Sequence, residues 1–368
     1  QLPQWEDAPA ANPPGLEPID SQQVRQQLGK MLQRLGRNEI RPSQLHFTDA
    51  VTAHLQPRDA AEAPPALLAE IGTGTGKTLG YLAPASLWAA QHQYPIWVST
   101  YTRQLQQQIR DELQPWYGKE AAEKLVVRKG RENYLCLLNL DEASRGVHSS
   151  GMSLLALVIM TRWVVASPDG DLTSSHFPGW LVDILGRART YGLADQRGEC
   201  IYSACPHYQR CFVERNTRAA RGAELVVANH ALVMTQCANG GIEERGDNHG
   251  FYIFDEAHHL FSAADSVFAA HLTAGEMHDL RRWLLGAEAS QKSRARGLRK
   301  RLEGLIEQHP ELMALLDEVL HAASILPADN WRQQLSQQFN QLRPQGSAMW
   351  LMALIYSLVQ SQAVGSDY

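Results

Sequence analysis

The sequence predicts an α/β fold, a parallel sheet flanked by helices and interrupted by two insertions. Three observations carry that expectation. A glycine-rich turn, Gly72-Thr-Gly-Thr-Gly76, stands between a short, mainly apolar run at 67–71 and an apolar stretch at 79–87. This order predicts strand, loop and helix. A second apolar run at 251–254 ends in two acids, Asp255 and Glu256, and so predicts a strand with carboxylates at its end. The two segments lie roughly 180 residues apart, more than one sheet domain needs between them, so other structure is inserted.

Composition narrows the class. The chain has 368 residues with 44% hydrophobic and 20% charged, which excludes a fully disordered chain, a collagen-like fibre and a disulfide-stapled miniprotein. At about 150 residues per domain the length suggests two to three domains. With 39 acids against 34 bases the net charge is −5, which argues against a protein that holds nucleic acid by bulk positive charge. Residues 1–20 hold several prolines and read as a flexible tail, without the basic start and apolar core of a secretory leader. The longest apolar stretch, 154–160 extended by 163–166, contains Arg162 and is short of the ~20 residues of a membrane span. It reads as a buried helix. The expectation is a cytoplasmic protein without membrane contact, in which five cysteines favour metal or redox chemistry over disulfides.

The first segment has the chemistry of a phosphate loop. Glycines let backbone amides wrap phosphate oxygens, and a helix N-terminus adds donors and a favourable dipole. Gly72, Thr73, Gly74, Thr75, Gly76, Lys77 and Thr78 are the expected nucleotide contacts. Lys77 would reach the β- and γ-phosphates, and the Thr78 hydroxyl would ligate Mg²⁺. Ile71 departs from the pattern, which usually has glycine or another small residue there. The second segment supplies the other half: Asp255 holds Mg²⁺ through water, and Glu256 orients and polarises the attacking water. Together they predict a RecA-like ATP-hydrolysing domain with ATP and Mg²⁺ as cofactors.

Between these halves lie Cys136, Cys200, Cys205 and Cys211, spaced C-x63-C-x4-C-x5-C. Four thiolates can hold a tetrahedral zinc or an iron–sulfur cluster, and the spacing alone leaves the two open. Cys237 falls outside the pattern. Four arginines, Arg210, Arg215, Arg218 and Arg221, form a basic series around and after the last of these cysteines. The stretch Lys292-Ser-Arg-Ala-Arg-Gly-Leu-Arg-Lys-Arg301 carries six cations and no acid in ten residues. It is the best local candidate for contact with a nucleic-acid backbone. Beyond residue 259 the pattern turns helical, at 276–285, at 311–325 with leucines at i, i+3 and i+4, at 331–342 and at 348–359.

The letters Asp255-Glu-Ala-His258 match the motif II signature of a DEAH-type helicase core, and the wider pattern resembles the DinG/XPD group of superfamily-two DNA helicases. Arg41-Pro-Ser-Gln44 looks like that group's Q motif, which implies Gln44, with Arg41 beside it, as the adenine contact. Val98-Ser-Thr-Tyr-Thr102 with Gln104-Leu105 looks like motif Ia, near the DNA path. Lys129 to Cys136 resembles the entry to an iron–sulfur domain, and Val226 to Leu232 the strand before motif II. The resemblance covers roughly residues 38–285 and implies a [4Fe–4S] cluster on Cys136, Cys200, Cys205 and Cys211. It adds His258 to Lys77, Asp255 and Glu256 as catalytic residues.

The implied organisation is a tail at 1–20, a RecA-like domain at 21–127 and 215–262, an inserted iron–sulfur domain with four cysteine ligands at 128–214 and a helical arch domain at 263–368. Motifs of a second RecA-like domain are not found, so the chain reads as the N-terminal portion of a longer helicase. The implied function is ATP-driven travel on single-stranded DNA, 5′→3′ by resemblance, with unwinding of forks or R-loop-like structures by a monomer. The competing expectation is a nucleic-acid-binding regulatory module that uses ATP as a switch.

Overall fold

The computed structural model describes residues 2–4, 17–37, 39–56, 66–72, 74–145, 151–195, 200–238, 251–269, 274–286, 297–324 and 326. They fall into two compact units, one of Gln1–Leu140, His148–Gln196 and Ile201–Ala269, the other of Asp141–Val147, Arg197–Cys200 and Ala270–Tyr368. The helices expected at 331–342 and 348–359, and Thr73, lie outside the described residues.

The first unit is built on four parallel strands, β1 (Ile96–Thr100), β2 (Leu125–Val127), β3 (Leu225–Asn229) and β4 (Tyr252–Phe254), in the order β2-β3-β1-β4. Trp97 pairs with Val226 on one side and with Tyr252 on the other. Both faces of the central strands are covered, as a parallel sheet requires. Ile96, Val98, Leu225 and Val227 point into one core, and Trp97, Val226 and Ala228 into another on the opposite face. This period-2 alternation, apolar on both sides, explains the unbroken apolar runs in the sequence.

Four helices fill the first core. Helix α1 (Ser21–Arg34) starts at Asp20, whose carboxylate accepts from the backbone amides of Gln22 and Gln23, and buries Val24, Leu28, Met31 and Leu32 at i, i+4, i+7 and i+8. Helix α2 (Pro42–His54) opens on Pro42, where a missing N–H costs nothing. Helix α3 (Lys77–His92) is buried on nearly every side and follows the glycine-rich turn directly. A fourth, α4 (Arg103–Tyr117), begins at Thr102, whose hydroxyl accepts from the Leu105 amide.

Two expectations are corrected. The strand predicted ahead of the glycine turn does not form, since residues 66–71 join none of the described strands. Leu68 is 94% exposed and Leu67 42%, so this stretch lacks the ladder that would make its extended backbone a strand. The buried helix predicted at 154–166 is a helix, Gly151–Ala166, yet only Ala156, Met160 and Val164 are buried, one stripe at i, i+4 and i+8. Leu154, Leu155, Val158 and Val165 remain exposed, because composition alone does not say how many faces find a neighbour.

The inserted stretch between β2 and β3 is held by polar pins. Lys129 Nζ meets Asp171 Oδ2 at 2.5 Å, and Arg131 Nε meets Asp195 Oδ2 at 2.8 Å, with both carboxylates nearly sealed from solvent. Single bridges join Tyr134 to Asp171 and Leu135 to Ala194. Gly170 turns the chain here at φ +67°, and a Cβ there would stand 2.4 Å from the Phe212 ring. Phe212 is only 1% exposed and cannot yield. Gly170→Ala is therefore expected to destabilise the chain by about 2–4 kcal/mol, read as a lower midpoint in denaturant unfolding.

In the second unit the expected helices appear as Ala274–Leu285 and Leu312–Ser324, with Leu316 and Ala323 buried from the latter. Within the basic run, residues 292–296 lie outside the described part. Arg299 contacts the Asp317 carboxylate, so one of the six cations is neutralised within the unit.

Candidate nucleotide-binding site

The glycine turn leads straight into α3. Gly74 and Gly76 take φ +76° and +84°, the left-handed region that glycine enters without steric cost. The Thr75 hydroxyl donates to the Gly72 carbonyl at 2.7 Å and tightens the turn. Two side chains from the start of α2 hold it from outside. Arg41 donates to the Gly74 carbonyl, and the Gln44 amide donates to the Gly76 carbonyl at 2.8 Å. Gln44 is buried, so its amide nitrogen is committed to the loop.

The two acids stand where β4 ends. Lys77 Nζ contacts Glu256 Oε1, closing an ion pair across 179 residues of sequence. The hydrogen bond from Lys77 holds the Glu256 carboxyl below its ordinary pKa, against the opposing effect of burial. Glu256 sits at φ +57°, an unusual conformation for a non-glycine residue and one that concentrates at functional turns. His258 Nδ1 stands 3.6 Å from Glu256 Oε2. Tyr81, on α3, donates its hydroxyl to Asp255 Oδ2 at 3.1 Å. Burial, then the nearby Asp255 charge, pushes the Tyr81 phenol well above its usual pKa, so it remains a donor.

Behind the acids, Ser99 Oγ and His230 Nδ1 lie 2.7 Å apart. Burial lowers the His230 pKa and keeps the ring neutral. Beside them the exposed Tyr101 ring stacks on His259, with centroids 3.7 Å apart. The structure thus gathers Arg41, Gln44, Gly72, Gly74, Thr75, Gly76, Lys77, Thr78, Asp255, Glu256 and His258 at one end of the sheet, where ligands of open α/β folds bind. Donor amides, a lysine, a hydroxyl and two carboxylates suit a nucleotide polyphosphate with Mg²⁺. Tyr81 was missed in the sequence. Its signal was its place at i+4 from Lys77, a polar-tipped ring in an otherwise apolar helix.

The cysteines present a different picture. Cys136, Cys205 and Cys211 belong to the first unit and Cys200 to the second. Cys205 and Cys211 each end a short 3-10 turn, and Cys211 precedes the helix Phe212–Gly222. Burial pushes the Cys136 thiol up to about 12 and raises Cys211 as well. Among the described residues no three His, Cys, Asp or Glu side chains form a group that could hold a metal ion. The residue types suit a cluster; the arrangement does not display one. Of the nearby aromatics, Tyr134 and Phe212 are buried in packing, while Tyr202 is exposed with the Arg131 guanidinium over its ring. The arginine series does not form one solvent face. Arg215 turns inward to the Pro168 carbonyl, and Arg218 donates to the Tyr208 hydroxyl at 3.4 Å.

Fold and site together define an α/β domain with a phosphate loop and a DEAH-type acidic strand end. No protein-family model matches the chain. It is similar to the ATP-dependent DNA helicase YoaA of Haemophilus influenzae, 32% identical over 257 residues, covering 68% of this chain and 38% of that one. It is 29% identical over 258 residues to the protein of that name from Escherichia coli, covering 68% of this chain and 39% of that one. It is also 32% identical over 234 residues to the ATP-dependent helicase DinG of Mycobacterium tuberculosis, covering 57% of this chain and 34% of that one. The chain is thus related to the DinG-like DNA helicases over the shared span. It spans less than two fifths of the length of these relatives.

Proposed function

We propose that the chain carries the ATP-binding part of a DinG-type DNA helicase, which couples hydrolysis to 5′→3′ travel on single-stranded DNA and to duplex unwinding. The supporting observation is the meeting of Lys77 with Glu256, and of Tyr81 on the same helix with Asp255, at the mouth of the phosphate loop. Lys77 exchanges its Glu256 partner for the phosphates when a nucleotide enters. Backbone amides of the turn hold the phosphate oxygens, and Gln44 keeps the turn in shape while its carboxamide oxygen remains for the adenine amino group. Thr78 and Asp255 would hold Mg²⁺, which neutralises developing charge on the phosphates. Glu256, once released by Lys77, accepts a proton from the attacking water, and His258 flanks it. An arginine from a second RecA-like domain completes transition-state stabilisation in such pairs.

The same reading covers the partners and the cysteines. Single-stranded DNA passes along the β1 end near Tyr101, and forks or R-loop-like structures are the substrates of the whole protein, a cytoplasmic monomer. Cys136, Cys200, Cys205 and Cys211 serve as ligands of a [4Fe–4S] cluster that ties down the inserted domain at 128–214. The resemblance of Lys129 to Cys136 to the entry of an iron–sulfur domain supports this.

The test is direct. Fluorescent ADP with Mg²⁺ binds this chain, and Lys77→Ala weakens that binding about thirtyfold, the worth of a charged hydrogen-bonding partner. Undiminished affinity in Lys77→Ala removes the nucleotide assignment. Anaerobic purification yields a brown protein with about four irons and matching sulfide; a colourless protein with stoichiometric zinc removes the cluster.

A further inference from the structure

One buried polar group at the site neither binds phosphate nor handles water, the Tyr81 hydroxyl. Tyr81 lies one turn beyond Lys77 on α3, so the two share a helix face. Its side chain is 4% exposed, and its ring belongs to the core beneath the sheet. The hydroxyl donates to Asp255 Oδ2 at 3.1 Å. Asp255 is one of the two residues assigned to Mg²⁺. It lies 174 residues from Tyr81 in sequence, and the phenol ties it to α3.

A ring packed in the core does not follow a rotating carboxylate. The hydrogen bond therefore selects one orientation of Asp255, with Oδ2 turned to the phenol and Oδ1 left for the ion or its waters. We propose that Tyr81 is a positioning residue that presets Asp255 for Mg²⁺, so that nucleotide and ion enter a site already arranged. Preorganisation of this kind affects the ion-dependent part of binding and leaves the phosphate loop untouched. The inference rests on the nucleotide reading above.

Tyr81→Phe removes the hydroxyl and keeps the ring. Binding of fluorescent ADP is followed as Mg²⁺ is titrated, and again in EDTA, with thermal melts of both proteins. The half-saturating Mg²⁺ concentration is expected to rise about fivefold, the effect of one lost hydrogen bond, while the affinity in EDTA and the melting temperature stay as in the parent chain. An unchanged or lower Mg²⁺ requirement overturns the proposal. So does an affinity loss of equal size in EDTA, or loss of the fold, because the hydroxyl would then serve packing alone. Failure of the parent chain to bind nucleotide removes the nucleotide reading itself, an outcome distinct from failure of Tyr81.

Discussion

Glu256→Gln is expected to stop hydrolysis in the full-length protein and to tighten nucleotide binding. In the proposed function this carboxylate accepts a proton from water, and loss of such a base lowers turnover by roughly 10²–10⁴-fold. Lys77 holds Glu256 below its ordinary pKa, so the group is ionised at neutral pH and available as a base once the lysine leaves. That same contact competes with phosphate for Lys77. Both partners are partly exposed, and a pair of this kind is worth at most about 1 kcal/mol. Removing the charge should raise affinity up to about fivefold, since 1.4 kcal/mol corresponds to tenfold. Equilibrium binding and single-turnover hydrolysis measure the two effects separately. Weaker binding by Glu256→Gln would contradict the competition.

Gly76→Ala is expected to have the larger effect on binding. Two penalties coincide at this position. Its φ of +84° strains any residue with a Cβ, and that Cβ would stand 2.4 Å from Gln44 Nε2 and 2.9 Å from Gln44 Cδ. Gln44 is buried and bonded to the Gly76 carbonyl, so it has nowhere to retreat. Strain and overpacking together cost about 2–4 kcal/mol, and nucleotide affinity should fall at least about thirtyfold. Gly74→Ala provides the contrast. Its φ is +76°, yet nothing lies within 4 Å of the added Cβ, so strain acts alone and the loss should be smaller. Gln44→Ala in the Gly76→Ala background should recover part of the binding by removing the clash but not the strain. Equal losses at both glycines would show that the Gln44 contact does not matter.

The site was legible to the extent that its chemistry is local. Three glycines before Lys77, and an apolar run ending in Asp255 and Glu256, state their chemistry in a few adjacent residues. The helix Leu312–Ser324 was readable for the same reason, because its leucines repeat with the helix. Contacts made through distant partners were not readable. Nothing near Gln44 indicates that its amide closes on Gly76. Nothing near Arg215 indicates that it turns to Pro168 instead of outward to a phosphate. The apolar helix Gly151–Ala166 suggested burial on every side, and it finds a neighbour on one.

Turn conformation and helix starts follow from short-range sterics and hydrogen bonding, and those are written in adjacent residues. Which face of an apolar helix is covered, whether residues 66–71 acquire a ladder, and how Tyr81 comes to meet Asp255 depend on segments far apart in sequence. Those outcomes belong to the tertiary structure, because burial and pairing are properties of two surfaces and either sequence segment describes only one.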